Sequence, residues 1–234
     1  MIIGGLQKNS LTDYPGKLSC VLFLSGCNFN CPYCHNPQLV KCDSAYSDRF
    51  DEKSFYEFLE NRKGFIDGVV ISGGEPTLQK ELVLLCIKIK EIGYLIKLDT
   101  NGSRPEAIKR IIDAGLVDYI AMDVKTDPLC YPPTIAKEYD PGQTLASIET
   151  IMGSGIPYEF RTTCVKPIVD EQSIKSVVRT IGGAELYSLQ RFRNNSGVLD
   201  PRFFARTGAG HNKDELLKLK AIADPWVQKC IVRF

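Results

Sequence analysis

Surplus charge is what this sequence has least of. Lys and Arg number 29 against 28 Asp and Glu, a net charge of +1, so the chain carries no electrostatic footprint for nucleic acid or an anionic membrane. It also lacks an apolar run long enough to span a bilayer. Its opening residues, MIIGGLQKNSLTDYPGK, contain no basic segment followed by a long apolar one, so no secretory signal is expected. Internal repeats, low-complexity tracts and linkers are missing as well. Neither nucleic acid nor membrane is therefore expected as a partner, and a cytoplasmic, reducing location is the default. What is present is ordinary: 234 residues, 44% hydrophobic and 24% charged, enough chain to bury a core without disulfides.

Cysteine is the exception, at nine residues. Cys20, Cys86, Cys164 and Cys230 lie in apolar stretches and read as small buried hydrophobes. Cys42 and Cys130 are also isolated. Cys27, Cys31 and Cys34 are clustered and need a separate explanation.

Short β-type runs alternate with helix-period runs along the chain. Strands are expected at Ser19–Leu24, Gly68–Ser72, Leu95–Thr100, Tyr119–Asp123, Glu159–Val165 and Leu186–Phe192, several of them continuous apolar runs suited to parallel strands buried on both faces. Between them, spacings of three and four residues mark helix faces: Phe55, Phe58 and Leu59; Leu82, Leu85, Cys86 and Ile89; Ile108, Ile111 and Ile112; Leu145, Ile148 and Met152; Ile174, Val177, Val178 and Ile181. Asp214–Ala223 reads as a further helix and Val227–Arg233 as a last strand or extended tail. Such alternation means βαβ units on a parallel sheet. Six units are few for a full eight-fold barrel, which needs about 250 residues, so the expected fold is α/β, an incomplete, open parallel (β/α)6 barrel. Thr126–Gln143, with four prolines, is expected to be an irregular loop, and Pro37–Phe50 a loop or lid. His211, in a Gly/Ala-rich stretch, reads as an exposed loop histidine.

Cys27, Cys31 and Cys34 directly follow the first strand, at the end of a strand where α/β folds build active sites. Gly26 permits a sharp turn there, and Pro32 and Pro37 stiffen the loop. A structural zinc ion would want four closed ligands, and the one nearby fourth donor, His35, adjoins Cys34 and would reach the same ion only with strain. A redox dithiol would use Cys31 and Cys34 and leave Cys27 unexplained. Iron–sulfur clusters normally take four thiolates; three would leave one iron open, the mark of a catalytic metal site.

Later strand ends add polar residues. Gly73 and Gly74 in Ile71-Ser-Gly-Gly-Glu-Pro-Thr77 allow close backbone approach, Glu75 adds a carboxylate, and Pro76 fixes the turn. Asp99-Thr100-Asn101-Gly102 ends the third strand, and Met122-Asp123-Val124-Lys125 the fourth. Arg161, inside an apolar strand, must meet a polar ligand or an internal acid. Gln190 on the sixth strand raises the same question.

The spacing Cys27-x3-Cys31-x2-Cys34, with Tyr33 before the last cysteine, resembles the signature of the radical S-adenosylmethionine (SAM) superfamily. The resemblance implies one 4Fe-4S cluster on the three cysteines, SAM on the open iron, and Tyr33 near the adenine. It places Gly73, Gly74, Glu75 and Pro76 at the SAM amino group and Lys125 at its carboxylate, so the polar ligand open to Arg161, as the alternative to an internal acid, is that same carboxylate. The flanks, Asp13-Tyr-Pro-Gly16 before the strand and Cys34-His-Asn-Pro37 after it, are similar to the glycyl-radical-enzyme activases, closest to the activating proteins of anaerobic ribonucleoside-triphosphate reductase. In that group the counterparts of Asp99, Thr100 and Asp123 can hold a monovalent cation. The implied partners are a glycyl radical enzyme and a one-electron donor such as flavodoxin or ferredoxin; the alternative is a radical SAM enzyme acting on a small molecule or peptide. One radical SAM domain is expected over 1–234, with its core at about 17–192, an N-terminal segment 1–16 and a C-terminal extension 193–234.

Overall fold

The computed structural model describes residues 1–40, 51–193, 197–207 and 210–234. Cys42 and most of the expected loop Pro37–Phe50 lie outside them. The described strands follow one another in chain order, and the chain divides into two compact units.

The first unit comprises Met1–Asn28, Gln38–Thr100 and Glu106–Ile120. Its strands are β1 (Ile3–Ser10), β2 (Ser19–Leu24), β3 (Gly68–Gly73) and β4 (Leu95–Thr100). β2, β3 and β4 pair in parallel, and β1 runs antiparallel to β2. Val21, Leu22, Val69, Val70, Ile71, Ile96 and Leu98 are buried, as continuous apolar runs require when both faces are covered. The helices are α1 (Pro37–Val40), which begins at the border of the unit, α2 (Glu52–Asn61), α3 (Leu82–Ile92) and α4 (Pro105–Asp113). Asp51 caps α2 by accepting from Ser54 N at 2.6 Å, and Gly93 ends α3 at a φ of 106°, a left-handed conformation that costs glycine little. Leu82, Leu85, Cys86 and Ile89 turn inward together, as their spacing predicts.

Strand β5 (Tyr119–Asp123) begins in the first unit and ends in the second. The second unit comprises Phe29–Pro37, Asn101–Pro105 and Ala121–Phe234. In it β6 (Tyr158–Cys164), β7 (Tyr187–Arg191) and β8 (Cys230–Arg233) pair in parallel. Its helices are α5 (Pro141–Met152), α6 (Glu171–Thr180), α7 (Pro201–Thr207) and α8 (Lys213–Ala223). Capping boxes start α6, through Asp170 and Ser173, and α8, through Asn212 and Glu215, each satisfying two of the orphan donors of a first turn. The fold is thus α/β on a parallel-strand sheet, and all six expected strands are present within a residue of their expected ends. Among the described residues no helix is long and apolar enough to cross a membrane.

Several local expectations need correction. Pro37–Val40 is a helical turn rather than loop. The proline-rich loop stops at Asp140, because Pro141 supplies the first position of α5, where a missing N–H costs nothing. The buried face of α5 is Thr144, Ser147, Ile148 and Ile151, one step around from the apolar set. His211 is buried rather than exposed. Its Nε2 lies 2.8 Å from Val169 O, and a bridge between Val165 and Gly210 draws the segment onto the sheet.

Candidate active site

In the first unit, the parallel register sets Leu24 beside Gly73, so the chain leaves β2 and β3 at the same level. The base of the cysteine loop is then fixed by backbone bonds. Ser25 N donates to Ile2 O at 3.0 Å and Gly26 N to Leu39 O at 2.7 Å. Glu75 N donates to Gly26 O at 2.7 Å, and Gln79 Nε2 to Ser25 O at 2.8 Å. Gln79 escaped the sequence reading because nothing local distinguishes it from any polar residue after a turn. A Cβ on Gly74 would stand 2.1 Å from Gly26 O, and one on Gly73 2.3 Å from Leu24 O. Gly73 is therefore demanded by the close approach of the end of β2, and Gly74 by the loop that follows it, before any ligand is considered.

Glu75 is fully buried. Its Oε1 accepts from Thr77 N at 3.1 Å, Thr77 Oγ1 at 2.5 Å and Thr100 Oγ1 at 2.8 Å. Pro76 opens a short 3₁₀ turn, Pro76–Leu78, that holds Thr77 in place. One strand further on, Asp99 accepts from Ser72 Oγ at 3.1 Å and from the ammonium of Lys97. Lys97 went unnoticed in the sequence, although a lysine between Ile96 and Leu98, two residues before an acid on the same strand face, is a readable signal. Cys27 is half-buried.

In the second unit, Cys31 and Tyr33 are buried and Cys34 is half-buried. Cys34 N donates to Cys31 O at 2.9 Å, closing a turn between the two cysteines. Asn30 N donates to Ile135 O at 2.7 Å, Leu199 N to Cys34 O at 3.0 Å and Asp200 N to Pro32 O at 3.0 Å. Two distant segments therefore hold this loop. The Tyr33 ring meets the edge of Phe192, on which His35 stacks at 5.4 Å. Burial pushes the Cys31 thiol up to about 11, against the opposing pull of Lys125.

Asp123 ends β5 between two cations. Arg161 Nε lies 2.7 Å from its Oδ1 and Lys125 Nζ 2.8 Å from its Oδ2. Burial alone would raise the Asp123 carboxyl, but Arg161 and then Lys125 outweigh it and hold the group well below the usual carboxylate range. Burial likewise opposes the Lys125 charge, and Asp123 reverses the effect, raising the ammonium above its ordinary value. Arg161 thus pairs with an internal acid, Asp123. Tyr131 OH accepts from Lys125 N at 2.9 Å, and its ring stacks on Tyr139 at 4.2 Å, so the proline-rich loop braces Lys125. Gln190 accepts a long bond from Thr163 Oγ1, 3.4 Å.

The cysteine loop fits a thiolate-bound cluster. A buried Cys31 beside a fixed ammonium is poised to bind as thiolate once its proton is displaced, as metal ligation requires. Among the described residues no three His, Cys, Asp or Glu side chains converge on a point where one metal ion would sit; ligands of a multi-iron core bind different irons and need not converge so. The remaining described cysteines serve otherwise: Cys20, Cys86, Cys164 and Cys230 are buried thiols pushed up to about 12 by burial, and Cys130 is exposed.

A strand-end cysteine loop, a glycine-seated glutamate and a paired lysine define a class, and comparison with known proteins agrees. The Radical SAM superfamily model matches residues 21–181, a span that runs through both units, and the chain belongs to that family and is an enzyme of it. Membership implies a 4Fe-4S cluster and SAM. A Methanocaldococcus jannaschii protein provisionally named as a glycyl-radical enzyme activating enzyme is 34% identical, covering 99% of this chain and 95% of that one. The pyruvate formate-lyase-activating enzyme of Listeria monocytogenes is 32% identical over 53% of this chain and 52% of its own. Among solved structures, Streptococcus suis SuiB aligns with a TM-score of 0.66 at 14% identity, over 92% of this chain and 48% of SuiB, a likeness of fold.

Proposed function

We propose that this chain activates a glycyl radical enzyme. The observation that carries the reading is the near full-length likeness to the M. jannaschii activating enzyme, supported by a site whose side chains suit SAM. Cys27, Cys31 and Cys34, within eight residues of one another, would hold the cluster. When bound, that cluster supplies the electron that cleaves SAM to methionine and a 5′-deoxyadenosyl radical, the species able to take hydrogen from a glycine of the partner. The chain's own work is to bind, orient and exclude water. Glu75, fixed by Thr77 and Thr100, meets the amino group of SAM. Lys125 and Arg161, aimed by Asp123, meet its carboxylate, and Tyr33 lines the adenine. The partner is a glycyl radical enzyme, with anaerobic ribonucleoside-triphosphate reductase first among candidates, and the electron comes from a flavodoxin or ferredoxin.

The test is anaerobic reconstitution with iron and sulfide, then dithionite and SAM, with assay of 5′-deoxyadenosine. Production that disappears in each of Cys27→Ala, Cys31→Ala and Cys34→Ala is expected. Adding the candidate reductase should then give the electron paramagnetic resonance signal of a glycyl radical. Cleavage without a radical on any glycyl radical protein would overturn the activation reading and favour a small-molecule or peptide substrate. No cleavage from a fully loaded cluster, with or without those proteins, would overturn the whole.

A further inference from the structure

The resemblance implies a monovalent cation at Asp99, Thr100 and Asp123, and the side chains in place do not fit one. Lys97 and Asp99 stand two apart on β4 and leave the same face of the strand. The Lys97 side chain is 1% exposed and its ammonium is ion-paired with Asp99 Oδ1. Ser72 Oγ donates to the other carboxylate oxygen at 3.1 Å, and the Tyr119 ring lies 6.0 Å from Lys97 Nζ, adding a cation–π contact. A metal ion at the same carboxylate would face this ammonium where little water screens like charges. Thr100 gives its hydroxyl proton to Glu75 Oε1 at 2.8 Å. In the second unit, Asp123 already holds the cations of Lys125 and Arg161.

We propose that Lys97 is a built-in cation. Its ammonium does at Asp99 what a bound sodium or potassium ion would do: it balances the carboxylate and fixes its orientation, so the protein needs no monovalent metal ion. Lys97 is a positioning residue, acting through Asp99. Because it is tethered, its effective concentration at the carboxylate is set by the chain and not by the salt outside. A buried lysine is rare without such a partner, and the apolar run of β4 gives no packing reason for one. The inference rests on the charges of the first unit; its link to SAM rests on the function proposed above.

The test compares thermal melting, with and without the reconstituted cluster, in sodium, potassium and tetramethylammonium chloride at equal ionic strength. Tetramethylammonium is too bulky for a carboxylate site sized for a bare metal ion. Wild type should melt within about 1 °C in all three, since no bound ion contributes by mass action. Lys97→Met keeps the unbranched stem, one atom shorter, and removes the charge. It should melt lowest in tetramethylammonium and regain about 2–4 °C in sodium or potassium. Lys97→Met/Asp99→Asn, lacking both charges, should lose that dependence again. A sodium- or potassium-specific shift in wild type overturns the proposal, and that arm stands whether or not the variant folds. So does a folded Lys97→Met that melts alike in all three salts. Failure of wild type to cleave SAM would strike the proposed function and leave the melting result intact.

Discussion

Glu75 of the first unit, fully buried, and Asp123 of the second, half-buried, are carboxylates at or just past strand ends, and they are held in opposite ways. Glu75 accepts hydrogen bonds from two threonines, donors that orient a carboxylate. Asp123 is gripped by two cations, so its role is to aim them, and the trio carries one more positive charge than negative. The difference teaches that a carboxylate near a strand end can be oriented by its neighbours or can itself orient cations.

The largest effect should come from breaking the second arrangement. Asp123→Ala leaves the half-buried Lys125 and Arg161 without their carboxylate, a loss of about 3 kcal/mol, read by urea unfolding. Glu75→Gln keeps the shape and an acceptor for the threonines and should cost only about 1–2 kcal/mol, while 5′-deoxyadenosine formation falls steeply. Equal destabilisation by the two variants would erase the distinction.

A smaller, sharper effect lies in pH. Asp123 is held below its ordinary value, so its contribution is complete above the unfolded-state value of about 3.9 and is lost as pH falls through the lower folded value. Lys125 is raised, so its contribution is complete below about 10.4 and is lost only as pH climbs through the higher folded value. The stability gap between wild type and Asp123→Ala should therefore stay flat from about pH 5 to 9 and shrink in acid below about pH 4. A gap that widened in acid would contradict the assigned pairing.

The smallest effect marks the baseline. Asp113 pairs with Lys109 on the surface of α4, both side chains more than half exposed. Lys109→Ala should leave the unfolding midpoint unchanged within error, because water and salt already screen that pair. A clear shift there would mean that burial is not what separates these carboxylates.

Most of the scaffold was legible, because strands buried on both faces announce themselves as apolar runs: Val69-Val70-Ile71 and Ile120-Ala121-Met122 admit few other readings. β1 was missed. It is an antiparallel strand with Gly4 and Gly5 inside it and register shifts against β2, so neither alternation nor an apolar run marks it. α7 is short and begins at a proline, which reads locally as a turn. The cysteine loop and the Gly-Gly-Glu-Pro turn were legible as motifs, yet the reason for the glycines was not. Their neighbours are backbone atoms of the end of β2 and of the loop that follows it, and such contacts appear only when both strands share a register. His211 was misjudged because its burial depends on Val169 O, 2.8 Å away in space and far off in the chain. Lys97 was legible in principle: a charge inside an apolar strand demands a partner, and the partner was two residues away.

The clamp on the cysteine loop also imposes an order in time. Cys34 and Pro32 are held by Leu199 and Asp200, residues made last among those that fix the loop. At a synthesis rate of about 5–20 residues per second, Asp200 leaves the ribosome's active site roughly 8–33 s after Cys34. Through that interval the nascent loop has its thiols but not its latch. Its final seating is therefore a late event in the life of the new chain, and a polypeptide stopped short of Leu199 would present the same cysteines in a loop that never locks.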